Sequence, residues 1–145
     1  MNNAFTLKYS GLASQLINKI KVSNDSQKKE VDSLWDTGAT KTCISPELAK
    51  ALKLKPYAKT IINNAGGSSS STVYRVDISF LNIKFKKQIV YTVNIHSQGI
   101  DLLVGMDIIT LGDFTITNKN QNTKFTFEIP SIRDVDYVLE NNDLV

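Results

Sequence analysis

The sequence predicts an all-β fold with one or two short helices. Short segments rich in Val, Ile, Thr, Tyr and Phe recur along the chain, and several alternate apolar and polar residues. Residues 83–86 and 91–95, for example, carry apolar side chains at the odd positions, the pattern of a sheet with one solvated face. Polar stretches such as residues 118–122 separate these segments and are typical of turns.

The strands can be followed in chain order from this pattern. Strands are predicted at residues 5–9, 16–22, 31–35, 60–63, 72–80, 83–95, 102–104, 114–117 and 124–129. Leu81 and Asn82 are expected to turn the chain between two of them. The polar residues 118–122 are expected to join the last two strands into a hairpin.

Two short helices interrupt the strands. Ser45 can cap a helix that begins at Pro46, where the missing N–H costs nothing, and Glu47 complements the positive end of the helix dipole. This helix is expected to run through residue 53 and to stop before the next proline, because a proline disfavours helical backbone in the residue that precedes it. A second helix is predicted from residue 106 to residue 112.

Length and composition predict one compact domain. The chain has 145 residues, of which 41% are hydrophobic, enough for an ordinary core. We expect this domain to span residues 1–130. Residues 131–145 are acidic and weakly patterned, so we expect an extension that either docks on a partner or frays.

Composition also argues against several functions. The net charge of +3 comes from basic residues spread along the chain, so no nucleic-acid partner is predicted. Cys43 and His96 are the only residues of their types, which excludes an internal disulfide and a metal site built from cysteines or several histidines. The apolar window 100–109 is too short to cross a membrane, and residues 1–9 lack a secretory signal. We therefore expect a cytoplasmic protein without metal or cofactor.

One acidic side chain follows a hydrophobic strand on a tight turn. Asp36 opens the sequence Asp-Thr-Gly, which occurs once in the chain. The turn can hold the carboxylate near backbone N–H groups, while Thr37 offers a hydroxyl and Gly38 permits close approach of another backbone. By itself the tripeptide is also an ordinary turn, because Asp, Thr and Gly are common turn residues.

A polar, glycine-containing stretch at residues 63–71 lies between two predicted strands. Paired glycines between strands are typical of a hairpin tip. Such a hairpin could close over an extended peptide and exclude water, and alternatively it is a plain surface loop.

A third motif, and the order of all three, suggests a family. Residues 102–105, Leu-Leu-Val-Gly, read as a buried strand that ends in glycine where a helix begins, which alone indicates only a core strand. The chain closely resembles the retropepsin-like aspartic proteases over residues 31–117. The resemblance lies in the order of the motifs, in which Asp-Thr-Gly-Ala-Thr is followed by a helix, a Gly-rich hairpin and Leu-Val-Gly. Gly-Asp-Phe at 112–114, after Met-Asp at 106–107, is similar to bacterial and phage-borne members.

The resemblance implies a fold, a partner and a mechanism. It implies a closed, barrel-like β fold that works as a homodimer, with one Asp-Thr-Gly turn from each protomer at the two-fold axis. Asp36 and its symmetry mate would share one proton, because two carboxylates about 3 Å apart repel strongly when both are ionised. A water between them would attack the carbonyl of a peptide or protein substrate. The implied activity is that of an aspartic endopeptidase, and a phage or mobile element is one candidate source.

The resemblance also assigns roles to residues. The catalytic residues would be Asp36, Thr37 and Gly38, with Thr37 bonding across the dimer axis, and Gly105 would support their loop from beneath. Substrate-binding residues would be Ala39 and the hairpin-tip residues Asn64, Ala65, Gly66, Gly67 and Ser68. Candidates for core and pocket walls are Leu34, Ile44, Ile62, Val104 and Ile108, with core the expected role.

The chain departs from many viral members at two positions near the expected interface. Thr40 and Met106 stand where those members have an acidic and a basic residue that pair with each other. We therefore expect the terminal strands or residues 131–145 to secure the dimer instead. The hairpin tip also lacks the apolar residue that often stabilises it, which predicts weaker closure.

Two other functions fit parts of the sequence. Cys43 could be a nucleophile if His96 lay within bonding distance, although an isolated cysteine on a strand is more often a buried hydrophobe. A non-enzymatic peptide-binding or oligomerisation module could also share the fold. The intact Asp36 turn favours the enzyme, since a binding module does not need the acid.

Overall fold

The computed structural model describes residues 3–142, apart from the side chains of Asn64 and Asn142; the ends of the predicted domain and extension, residues 1–2 and 143–145, lie outside it. The described strands are β1 Asn3–Lys8, β2 Leu16–Ser23, β3 Lys28–Trp35, β4 Cys43–Ile44, β5 Ala58–Asn64, β6 Gly67–Phe80, β7 Ile83–Thr92, β8 Leu102–Val104, β9 Asp113–Thr117 and β10 Lys124–Ile129. The α-helices are α1 Pro46–Ala51, α2 Met106–Ile109 and α3 Tyr137–Asn142. The predicted all-β fold with few short helices is confirmed.

Most strands form one curved sheet in the order β2-β3-β8-β4-β7-β6-β5. A further antiparallel pairing of β2 with β6 joins the two sides of this sheet into a ring of strands. β5 lies outside the ring and forms a long hairpin with β6, with Asn64 opposite Gly67 at its tip. The parallel pairing of β3 with β8 sets the two strand ends that carry the first and third motifs side by side.

The terminal parts of the described chain form a second, three-stranded sheet. Its order is β1-β10-β9, with both pairings antiparallel. β1 and β10 are more than 110 residues apart in the chain, yet six residues of each are in register. This sheet ties the two ends of the domain together and leaves β1 and β9 as its edges.

The core fills the space between the two sheets. Phe5 of β1 packs edge-on against Phe125 of β10, with ring centroids 5.3 Å apart, and Trp35 at the end of β3 lies 5.1 Å from the same ring. The indole N–H of Trp35 donates to the side chain of Asn18 at 2.8 Å, so the ring is held at both its apolar and its polar side. The residue just before Asp36 is thus fixed by the core.

The sequence located the start of α1 correctly, but the helix ends at Ala51 rather than at residue 53. Ser45 has extended backbone, and its hydroxyl accepts a hydrogen bond from the N–H of Leu48 at 3.0 Å, as expected of an N-cap. Pro46 is the first helical residue, and Leu48 and Leu52 are buried in the core.

Several predicted boundaries were wrong. The serines at 68–71, expected in the hairpin tip, belong to β6. Their backbone groups pair with β5, and this pairing does not depend on the side chain. The strand predicted at 83–95 ends at Thr92, and a 3₁₀ turn follows at His96–Gln98. α2 ends at Ile109, three residues before the predicted stop. Residues 131–136 have no regular structure, and α3 was not predicted.

Candidate active site

The Asp36 turn is suspended from two neighbouring strands. Trp35 pairs with Val104 in the parallel β3–β8 ladder, and the next N–H, that of Asp36, donates to the carbonyl of Val104 at 2.9 Å. The chain then turns, with the N–H of Ala39 bonding the carbonyl of Asp36 at 3.2 Å. The N–H of Gly38 donates to Oδ1 of Asp36 at 2.8 Å. One carboxylate oxygen is therefore aimed by its own turn, as the sequence predicted.

Two glycines at this turn leave no room for a side chain. A Cβ on Gly38 would lie 3.1 Å from Oδ1 of Asp36, so it would press on the carboxylate itself. A Cβ on Gly105 would lie 2.6 Å from the backbone of Lys41 and 2.9 Å from the carbonyl oxygen of Ala39. Because backbone atoms cannot move aside cheaply, Gly105 is required for close packing beneath the loop that follows Asp36.

A side-chain network that the sequence did not predict holds the far end of this loop. The hydroxyl of Thr42, which is fully buried, donates to Oδ1 of Asp107 at 2.7 Å and accepts the N–H of Gly105 at 3.1 Å. Oδ2 of Asp107 accepts the N–H of Thr42 at 3.1 Å. The N–H of Met106 bonds the carbonyl of Ala39 at 2.8 Å. The sequence signal for this network was an acidic residue, Asp107, directly after Gly-Met at the start of a predicted helix.

Asp36 and Thr37 open onto a concavity of about 340 Å³. Asp36 is half-buried and Thr37 is exposed. The remaining lining residues are Ser14, Gln15, Leu16, Leu34, Trp35, Phe114 and Ile116. Leu34 therefore borders the Asp36 turn, whereas Ile44, Val104 and Ile108 are core residues as expected. A carboxylate beside an open, partly apolar depression is accessible to a substrate backbone.

The other predicted substrate-binding residues lie at the tip of the β5–β6 hairpin. Ala65 and Gly66 form its two-residue turn, and Gly67 has a φ of 120°, which favours glycine. The hydroxyl of Ser68 donates to the side-chain oxygen of Asn63 at 2.6 Å. In this protomer none of residues 65–68 lines the concavity beside Asp36. Their role in substrate binding stays a prediction, and the side chain of Asn64 lies outside the described part of the chain.

Cys43 has the properties of a core residue. It is 8% exposed, and burial, together with the charge of Asp107, raises the pKa of its thiol to about 11. The thiol is protonated at neutral pH and therefore poorly nucleophilic.

His96 pairs with Asp101 rather than with the cysteine. Its Nδ1 lies 2.7 Å from Oδ1 of Asp101, and this hydrogen bond and the carboxylate charge raise the pKa of His96. The same Oδ1 accepts the hydroxyl of Ser45 at 2.6 Å. Burial opposes ionisation of Asp101, but the bonds from Ser45 and His96 outweigh it and lower the pKa of this carboxyl. Because serine and histidine both contact the acid and not each other, this is no nucleophile–base pair.

Residues 3–142 contain neither a metal-binding cluster nor a membrane-spanning helix. No group of three or more His, Cys, Asp or Glu side chains in these residues is arranged to hold a metal ion. None of the described helices is long and apolar enough to span a membrane.

Known proteins share this architecture. A model of the aspartyl protease family matches residues 19–108, more than half of the chain. EIAV protease, solved with an inhibitor, aligns with a TM-score of 0.52 and 22% identity over 68% of this chain and 88% of its own. A retropepsin-like aspartic protease from Rickettsia conorii aligns with a TM-score of 0.54 and 14% identity over 89% of this chain and 96% of its own. No curated protein matches the chain.

The family match covers β3, the Asp36 turn and β8, which position the Asp36 carboxylate, and it also covers the β5–β6 hairpin. The two solved structures share the fold. The chain therefore belongs to the aspartyl protease family and has a retropepsin-like fold.

Proposed function

We propose that this protein is an aspartic endopeptidase that acts as a homodimer. The observation that carries the proposal is the Asp36 carboxylate, oriented by the N–H of Gly38 and open to the concavity at the end of β3. One protomer offers a single such carboxylate in its Asp-Thr-Gly turn, and hydrolysis of an amide by water needs an acid and a base together. A second copy supplies the missing group.

In the dimer the two Asp36 carboxyls share one proton. The ionised carboxylate takes a proton from a water held between them, the water oxygen attacks the peptide carbonyl, and the protonated carboxyl donates to the carbonyl oxygen. Thr37, which is exposed, bonds the partner's turn through its hydroxyl. The hairpin tip at residues 64–68 closes over the substrate strand by backbone pairing.

Replacement of the acid tests the chemistry. Wild type is expected to cleave an unfolded protein such as casein and to be inhibited by a statine-type transition-state mimic. Asp36→Asn should abolish both cleavage and its pH dependence while the circular dichroism spectrum is unchanged. Asp32→Asn, on β3 four residues before Asp36 and paired with Lys19 at the surface, is the matched control and should keep its activity. Equal behaviour of wild type and Asp36→Asn on every substrate would support the peptide-binding module.

Mixing tests whether two carboxyls act together. With equal amounts of wild type and Asp36→Asn, about a quarter of randomly formed dimers carry both acids, so activity per wild-type chain should fall by about half. Activity should also be bell-shaped with pH, since it falls when both carboxyls are protonated or both ionised. Undiminished activity per wild-type chain, or a flat profile between about pH 4 and pH 9, would contradict the shared site.

A further inference from the structure

Two lysines face each other on the outer side of the three-stranded sheet. Lys8, the last residue of β1, lies directly opposite Lys124, the first residue of β10. The N–H of Tyr9 donates to the carbonyl of Thr123 at 2.9 Å. Hydrogen-bonded and non-hydrogen-bonded pairs alternate along an antiparallel ladder, so the adjacent lysine pair is a non-hydrogen-bonded one, in which side chains lie closer together. Like charges in this position destabilise a sheet.

The protein itself does not compensate this charge. Among the described residues, no Asp or Glu side chain forms an ion pair with Lys8 or Lys124, and both lysines are exposed. The acidic residue of β10, Glu128, lies about 13 Å further along the strand and pairs with Arg133. The opposed lysines therefore lower the stability of the sheet unless an anion binds between them.

A third lysine belongs to the same surface. Lys119 lies in the turn between β9 and β10 and lines one concavity together with the two strand lysines. The turn is anchored to the body of the protein through Thr123, which is buried. Its hydroxyl donates to the side chain of Asn118 at 2.7 Å and accepts the N–H of Ala13 at 2.9 Å. The turn that carries Lys119 is thus held in place by side-chain hydrogen bonds.

The concavity between these lysines has a volume of about 210 Å³. This is the volume that about seven water molecules occupy in the liquid, enough for a polyatomic anion. Its other lining residues all carry a hydroxyl or an amide group and are Tyr9, Thr117, Asn120, Asn122 and Thr123. None of its lining residues lines the concavity beside Asp36. It is therefore separate from the candidate active site.

We propose that this concavity, the lysine site formed by Lys8, Lys119 and Lys124, binds a small polyanion of the pyrophosphate class. Lysine ammonium groups bind phosphates as point charges, whereas planar recognition of a carboxylate favours the fork of an arginine. No arginine lines this concavity. Two linked phosphates carry more negative charge than one and can therefore balance all three ammonium groups. The site goes beyond the proposed function and does not depend on it.

Binding to the full chain tests the site. Pyrophosphate at millimolar concentration should raise the Tm, because it binds the folded lysine site and removes the repulsion there. Sodium chloride of the same ionic strength only screens the charges and should raise the Tm less. By calorimetry in a buffer without divalent cations, we expect a Kd below about 1 mM for pyrophosphate and at least about tenfold weaker binding of inorganic phosphate.

Replacement of single lysines assigns the binding to this site. Lys124→Thr removes one half of the opposed pair and keeps a good strand former, so without ligand it should be at least as stable as wild type. Its affinity for pyrophosphate should fall by at least about tenfold. Lys119→Ala, in the turn, should also weaken binding and tests the site without altering a strand. Lys84→Thr on β7, opposite the neutral Ser79, is the matched control and should keep the affinity of wild type.

Several outcomes would overturn the lysine site. These are an equal rise in Tm with sodium chloride, equal affinities for phosphate and pyrophosphate, and the same affinity for pyrophosphate in Lys84→Thr as in Lys124→Thr and Lys119→Ala. A single-stranded oligonucleotide that binds more tightly than pyrophosphate, and loses this affinity in Lys124→Thr, would assign the lysines to a nucleic acid instead. None of these measurements involves peptide hydrolysis, so failure of the lysine site leaves the proposed function standing.

Discussion

Asp36 is fixed by its neighbours from three directions, as its proposed catalytic role requires. Val104 holds its backbone, Gly38 holds its carboxylate, and Gly105 lets the following loop pack against the start of α2. The Asp-Thr-Gly motif suggested the contact with Gly38, and the family resemblance implied the support from Gly105. The sequence could not show that Thr42 and Asp107 close the same loop, because they are 65 residues apart.

Removing the Asp107 carboxylate should loosen this loop. Asp107→Ala leaves the N–H and hydroxyl of buried Thr42 without their acceptor. We therefore expect the unfolding free energy, measured in urea, to fall by about 1–3 kcal/mol. We also expect a lower kcat with a smaller change in KM. Asp32→Ala, which removes only the exposed pair with Lys19, should change stability by less than about 1 kcal/mol. Equal effects of the two variants would argue against a positioning role for Asp107.

The His96–Asp101 pair predicts a dependence of stability on pH. The pKa of His96 is raised in the folded protein by its hydrogen bond to Asp101, so the pair stabilises fully below the unfolded pKa of about 6.5 and the contribution is lost as pH rises through the higher folded pKa. Glu47 adds to this shift and Lys29 opposes it.

Urea unfolding of wild type and His96→Gln measures this contribution. The difference in unfolding free energy between them should be larger at about pH 5.5 than at about pH 8.5. Both values lie above the range in which Asp101 titrates, because its pKa is lowered. The same difference at both pH values would show that the ion pair does not contribute.

At the scale of elements, local sequence patterns correctly predicted the features that depend on neighbouring residues. Proline and serine at the start of α1 act within one turn of helix, and the cap formed as expected. The serines of β6 show the limit of such patterns. Their polarity indicated a loop, but pairing with β5 carried the strand to Gly67. The hairpin is therefore nearly all strand, with a two-residue turn at its tip.

The β9–β10 hairpin was also predicted from its sequence, but its place in the molecule was not. β10 pairs with β1 from the other end of the chain, which fills one edge of β10 and leaves β9 outermost. Gly112 lets the backbone just before β9 approach the backbone of β10 closely, since a Cβ on Gly112 would lie 2.0 Å from the carbonyl oxygen of Glu128. The outer position of β9 in this sheet thus depends on a pairing across the whole chain.

At the scale of the whole molecule, the segment after Pro130 carries an unusual exposed apolar surface. Its exposed large apolar residues are Ile132, Val135, Tyr137, Val138 and Leu139, each more than half exposed. The start of the segment is tied to β9, because Asp113 accepts the hydroxyl of Ser131 at 2.5 Å and the N–H groups of Ile132 and Arg133 at 2.8 and 2.9 Å. The segment therefore begins beside β9.

Truncation after Pro130 should weaken the dimer. The deletion removes the apolar segment and leaves Asp113, the first residue of β9, without its three donors. We therefore expect the dissociation constant of the proposed dimer to be at least about tenfold higher in sedimentation equilibrium. Val138→Ser together with Leu139→Ser serves as the control that keeps the Asp113 contacts. An unchanged dissociation constant after truncation would show that residues beyond 130 do not secure the dimer.

The sequence by itself determined the all-β class, the helix after Ser45, the order of three motifs and the single Asp-Thr-Gly carboxylate in each chain. These follow from side-chain periodicity and from residues that act on their immediate neighbours. Tertiary structure alone decided that Thr42 meets Asp107, that β1 pairs with β10 and that β9 is left at an edge beside Asp36. Such contacts join segments far apart in the chain, and their energies depend on packing and register that no local pattern contains.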